Sequence, residues 1–303
     1  MWNSNPDDRG AMRGLSTHSL ELYDEPLVGT GEERALESST WLSQTERDRA
    51  EQLACLETWR SFPPRHPTST HEPYSLEWFQ QIEQRRYSRQ GYWIPKHLEV
   101  HRHRGEQVLG LGDGLGTDWV QFAANGASFH YCTPSTEALW FTQRQFDLRG
   151  QKAHLHHAPL SALPLANESL DVVCLSALSA GLAAPLESIV SEIFRVLKPG
   201  GKVIAALLAK YDARWWQDFW FPWNRWSERR QAERTGHWSG QALSRVFESY
   251  SIERILKRHL RRSDLPHVWR WMLLPCMERV MGRFLVLKAF KPLTARLLIP
   301  VAA

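Results

Sequence analysis

Between residues 107 and 208 short apolar runs alternate with longer amphipathic stretches. The runs over 107–111, 127–131, 153–157, 170–175 and 202–208 have the length and composition of strands. Helices are predicted between them, over 117–125 and 134–148, closed by Gly126 and Gly150. A third, over about 186–197, is stopped by Lys198-Pro199-Gly200-Gly201. A late run over 284–290 would close the sheet. Strands alternating with helices of this length predict an α/β fold, a doubly wound, mostly parallel sheet of seven strands with helices on both faces. Such sheets bind ligands beyond the carboxyl ends of their strands.

The pattern differs on either side. Residues 1–45 are polar and acidic with no sustained apolar period, and are expected to form a flexible arm. Ala50, Leu53, Ala54 and Leu56 predict a short helix over 47–59, which Pro63, Pro64 and Pro67 end. Ser75 is a good cap for a helix over 76–90, with Leu76, Phe79, Ile82 and Tyr87 roughly on one face. The expected organisation is a helical lead-in over 46–104, the α/β domain over 105–292 and a tail over 293–303. A basic, Trp-rich insertion occupies about 211–282.

Composition narrows the class. Hydrophobic residues make up 43% of the 303 and charged ones 23%, ordinary for a soluble domain. Cys55, Cys132, Cys174 and Cys276 are far apart and form no C-x-x-C pair, so neither a disulfide framework nor a zinc site is expected. Free thiols, no signal-peptide pattern at the start and no run of 18 apolar residues lead to the expectation of a cytoplasmic protein. The net charge of +4 hides an asymmetry: residues 1–60 hold 6 Lys and Arg against 12 Asp and Glu, whereas 211–303 hold 17 against 8. The basic end suits an acidic partner or a membrane surface, and the chain has no recognised nucleic-acid module. His154 and His156 share a strand face, but no acid or cysteine completes a ligand set, so no metal is expected. No G-x-S-x-G elbow supports hydrolase chemistry.

The first chemical signal is the turn after residue 111, Gly112-Asp113-Gly114-Leu115-Gly116. Alternating glycines after a strand let backbone approach a ligand closely. Around it, VLGLGDGLGTD, FAANGA, ALPLANESLDVV and SEIFRVLKPGG stand in the order and spacing of class I methyltransferases. The chain resembles that family, particularly its bacterial type 11 group. TWRSFPP, SLEWFQQIEQRRY and YWIP resemble its lead-in, and RFLVLKAFKP its last strand.

The resemblance implies S-adenosylmethionine (SAM) as cofactor, held near Gly112, Asp113, Gly114, Gly116, Tyr131, Ala158 and Tyr87. The family holds SAM with three acids, and the matching positions here are Gly110, Tyr131 and Ala158; the family's His-His pair aligns with Ala180-Gly181. A hydrogen bond to a charged group is worth about 1.5–3 kcal/mol, so three losses remove roughly 4–8 of the approximately 8 kcal/mol of a micromolar ligand. Asp113 and Tyr131 are the candidates to replace them.

Five of the 15 tryptophans fall within 12 positions, and Trp216, Phe219, Trp220 and Trp223 fit one helical face. That face suits packing, a lid over an apolar substrate, or peripheral membrane contact. Two functions follow: a SAM-dependent methyltransferase of an unknown small molecule, or an inactive pseudo-methyltransferase that binds a protein partner.

Overall fold

A computed structural model describes residues 44–58, 69–88, 91–176, 184–220, 236–265 and 269–293. Residues 1–43 of the predicted arm, Pro63, Pro64, Pro67, Ala180, Gly181, Trp223 and the tail after 293 lie outside the described residues.

The lead-in is helical: α1 (Gln44–Glu57), α2 (Leu76–Arg86) and α3 (Trp93–Leu98). Ser75 caps α2, its hydroxyl accepting from the Trp78 N–H at 3.2 Å. The helix ends at Arg86, short of the predicted 90, because Tyr87 leaves the helical region at ψ 4°.

The apolar runs become β1 (Gln107–Gly112), β2 (Ser128–Thr133), β3 (His154–His157), β4 (Leu170–Ser176) and β5 (Leu197–Leu208). The crossover helices are α4 (Trp119–Ala124), α5 (Thr136–Leu148) and α6 (Leu186–Val196). Later come α7 (Ala213–Trp220), α8 (Gly240–Val246), β6 (Ser251–Arg258), α9 (Leu274–Met281) and β7 (Phe284–Phe290). The sheet order is β3-β2-β1-β4-β5-β7-β6, with β7 antiparallel to both neighbours. This is the predicted seven-stranded class I architecture, with the topological switch point at the carboxyl ends of the adjacent interior strands β1 and β4.

Two local readings change. β5 starts at Leu197, so Lys198-Pro199-Gly200-Gly201 is the irregular opening of a strand, with a register shift against β4 between Leu170 and Val172. The seventh strand, β6, had no predicted position: it is an edge strand whose residues are exposed or half-buried, several of them charged.

Alternation along the strands builds two cores. Leu109 and Leu111 face one, with Val173, Leu175, Ile189 and Ile193. Val108 faces the other, with Phe122, Phe129, Tyr131 and Phe146. The α6 residues Leu186, Ile189, Val190, Ile193 and Val196 form one buried stripe. Burying each such side chain is worth about 1.5–3 kcal/mol, which fixes β1 and the turn that follows it.

Candidate functional site

The turn begins where β1 meets β4. Gly112 has φ +133°, and a Cβ there would collide with the Ser176 carbonyl oxygen. Glycine is required both by conformation and by space. Gly116 stands against Thr142 of α5, and Gly114 against the Glu57 carboxylate.

Gly110 and Tyr131 are register partners in β1 and β2. A Cβ on Gly110 would lie 2.7 Å from the Phe129 ring and 2.9 Å from Trp119. The volume of the family's first acid is therefore occupied by aromatic carbon. Tyr131 is wholly buried, and its hydroxyl donates to the Gly112 carbonyl at 2.7 Å. Burial pushes this phenol far above its ordinary range, so it stays a neutral donor. The polar atom of Tyr131 is thus turned onto the protein's own backbone. Ala158 is half-buried against the first core, and its N–H lies 3.3 Å from the Thr133 carbonyl. Asp113 is exposed and accepts from the Thr133 hydroxyl at 3.2 Å.

The lead-in closes the turn from above. Glu57, at the end of α1, accepts the Leu115 N–H at 3.0 Å. Its other carboxylate oxygen lies 2.8 Å from Arg86. Arg86 in turn forks onto Asp118 through Nε at 2.8 Å and Nη2 at 2.5 Å, and donates to the Glu57 carbonyl at 3.0 Å. Arg86 is 1% exposed, Glu57 and Asp118 8% each. Burial opposes charge on Arg86, but the Asp118 and Glu57 carboxylates outweigh it and hold the cation. Burial also pushes the Glu57 carboxyl up, with Arg86 pulling it back. Tyr87 donates to Asp118 at 2.8 Å, tying the lead-in to the start of α4. The Leu115 N–H in the glycine turn is thus taken by an internal carboxylate.

A cleft of about 190 Å³ remains beside the turn, lined by Arg49, Leu53, Glu57, Asp113, Gly114 and Phe141. It is smaller than the roughly 300–1,000 Å³ of ordinary small-molecule sites. A larger cleft, about 280 Å³, lies among α3, β6 and β7, with Lys96, Arg254, Arg258 and Lys288 on its walls.

Of the predicted lid residues, Trp216 and Trp220 lie on α7, which follows the carboxyl end of β5. Trp216 packs with Trp269 and Leu274 against Ala213, Leu260, Leu265, Met277 and Met281. Trp220 is 57% exposed and meets Trp269 at 6.3 Å. Both tryptophans are therefore held by the segment between β6 and β7. At the other sheet edge His130 stacks on His154 at 4.7 Å and on His156 at 5.7 Å. Burial and these two neighbours push His130 down to about 4. No group of three or more His, Cys, Asp or Glu among the described residues could hold a metal.

Sequence reasoning singled out the glycines and Tyr131 but not Glu57, Trp119 or Asp118, which the structure brings against the turn. A signal for Trp119 existed: a glycine where an acid is usual, followed nine positions later by a large ring. Glu57 had none, since it meets Leu115 across 58 positions.

Residues 108–205, about a third of the chain, match the family described as Methyltransferase domain, and the seven-stranded order is that of the class I methyltransferase fold. No curated protein matches the chain. A solved SAM-dependent methyltransferase from Methanosarcina mazei is 18% identical over 65% of this chain and 98% of its own, with a TM-score of 0.48. One from Aquifex aeolicus is 14% identical over 65% and 89%, with a TM-score of 0.45. The (4+2)-cyclase SpnF is 15% identical over 76% and 86%, with a TM-score of 0.49.

No carboxylate stands at 110, 131 or 158, a side chain at 110 has no room, and the Leu115 N–H is already bonded.

Proposed function

We propose that this methyltransferase domain serves as a binding scaffold, its cofactor cradle filled by its own side chains. The observation that carries the reading is Tyr131: wholly buried, it gives its hydroxyl to the Gly112 carbonyl where a ribose-binding carboxylate belongs. One phenol cannot copy a carboxylate that accepts two ribose hydroxyls at once. Glu57 and Trp119 support the reading from the two other sides of the turn. A protein partner is the occupant this reading implies, since the domain would act without a reacting group of its own.

Isothermal titration of the full chain with SAM tests this. The expected dissociation constant is above roughly 100 µM, about 5.5 kcal/mol or less of binding free energy. Glu57→Gln, which weakens the carboxylate's hold on Leu115, should leave it above that limit, because positions 110 and 131 still lack their acids. Low-micromolar binding by the wild type would reverse the conclusion: Asp113 or another group would then have replaced the lost acids, and a small-molecule methyltransferase would be the function.

A further inference from the structure

The end of the molecule built by α7 and the turn before α9 is not explained by the scaffold or by the cradle. Large apolar side chains stand out of it: Trp271 is 81% exposed, Leu273 74%, Phe219 and Trp220 57% each, and Val280 48%. Phe219 and Trp220 are in ring contact. Trp220 contacts Trp269, whose own turn carries Trp271 and Leu273. Beneath, Trp216, Trp269, Leu274, Met277 and Met281 pack together, so the exposed rings ride on a small core of their own. Exposed side chains of this size, clustered and not scattered, mark an interaction surface.

Charge says what kind. Residues 257–283 hold seven Lys and Arg against two acids, Asp264 and Glu278. Arg262 and Arg279 are exposed, and Lys210 and Arg214 at the start of α7 are exposed as well. Indole and phenyl rings seat themselves at the boundary between headgroups and acyl chains, and flanking cations meet lipid phosphates. No helix among the described residues is long and apolar enough to cross a membrane, so the contact would be peripheral.

We infer that this end docks on an anionic lipid bilayer, with Trp271 and Leu273 as the inserted anchors. Protrusion favours a bilayer over a folded protein partner: two neighbouring side chains this bare enter a soft phase without needing a matching pocket. The cations then supply selectivity for negative headgroups, weakening as salt screens them.

Vesicle co-sedimentation of the full chain tests it. With phosphatidylcholine vesicles containing about 30% phosphatidylglycerol the protein should pellet, and with phosphatidylcholine alone it should stay in solution. Trp271→Ser with Leu273→Ser should lower the partition coefficient about tenfold or more. Both positions are exposed, so the thermal midpoint of that variant should match the wild type and exclude misfolding. Arg262→Glu with Arg279→Glu should abolish the preference for phosphatidylglycerol while leaving the fold intact. Three results would overturn the inference: no pelleting with either vesicle, equal pelleting of the Trp271→Ser, Leu273→Ser variant, or a dimer on gel filtration that the same variant dissolves. The last would make a second copy of the chain the occupant.

Discussion

Around the glycine turn the aromatic residues Trp119, Phe129 and Tyr131 are 3%, 1% and 0% exposed, while on α7 and the turn before α9 Trp220 and Trp271 are 57% and 81% exposed. The residue types are the same and their surroundings are opposite. At the turn, Gly110 leaves a hole beside the backbone, and the Phe129 and Trp119 rings fill it. At the far end nothing in the described structure fills or covers the rings. A ring therefore means closure in one place and an offered surface in the other, and neighbouring backbone decides which. The contrast can be tested by removing what holds each region.

The largest effect should come from Arg86→Leu. Arg86 joins two buried carboxylates, Glu57 and Asp118, and thereby clamps the lead-in to the turn. Its loss leaves both buried carboxylates without their cation, which costs about 3–5 kcal/mol. Urea denaturation should show a midpoint far below the wild type with a similar slope. A change under about 1 kcal/mol would mean that the clamp is not what seals the cradle.

A middle effect belongs to Tyr131→Phe. The ring volume stays, so the core with Trp119 and Phe146 is preserved. What disappears is the donor to the Gly112 carbonyl, and a buried acceptor without its partner costs about 1–3 kcal/mol. Thermal denaturation should report a modest drop, and SAM titration should show no tighter binding. If the variant lost no stability, the 2.7 Å bond would contribute little, and Tyr131 would be a space filler alone.

How much of this the chain announced depends on the range of the interaction. The strands of the central sheet were visible because their apolar runs are local and buried on both faces, as in β4, where Leu170 and Val172 to Ser176 are buried. The strand β6 was hidden because an edge strand with Glu253, Arg254, Lys257 and Arg258 lacks that run. The three missing acids were legible through the family resemblance, at Gly110 before the glycines, at Tyr131 by alignment on Thr133-Pro134 and at Ala158 after the third strand. Their physical consequence was not: that Trp119 fills the space over Gly110, and that Glu57 arrives from the lead-in, are contacts between segments far apart in sequence. Aromatic burial was likewise undetermined at Trp216 and Trp220, neighbours on one helix, of which the first is half-buried and the second exposed.

The smallest effect on stability is expected where the ring is most exposed. Trp271 is 81% exposed, so its ring has little apolar area to lose on unfolding, and the folded state gains little from holding it. Replacing it by Ser removes no buried contact, leaves no cavity and frees no polar group. Each mechanism that makes a substitution costly is absent, and the change should stay within about 0.5 kcal/mol. Trp119→Ser, by contrast, would open a hole over Gly110 and should cost several kcal/mol, in the range of about 3–5 for large-to-small core changes. Measuring both by urea denaturation gives the comparison its sharpest form. If Trp271→Ser were also strongly destabilising, the ring would be packed against some part of the chain in solution, and the surface at that end would be closed as the cradle is.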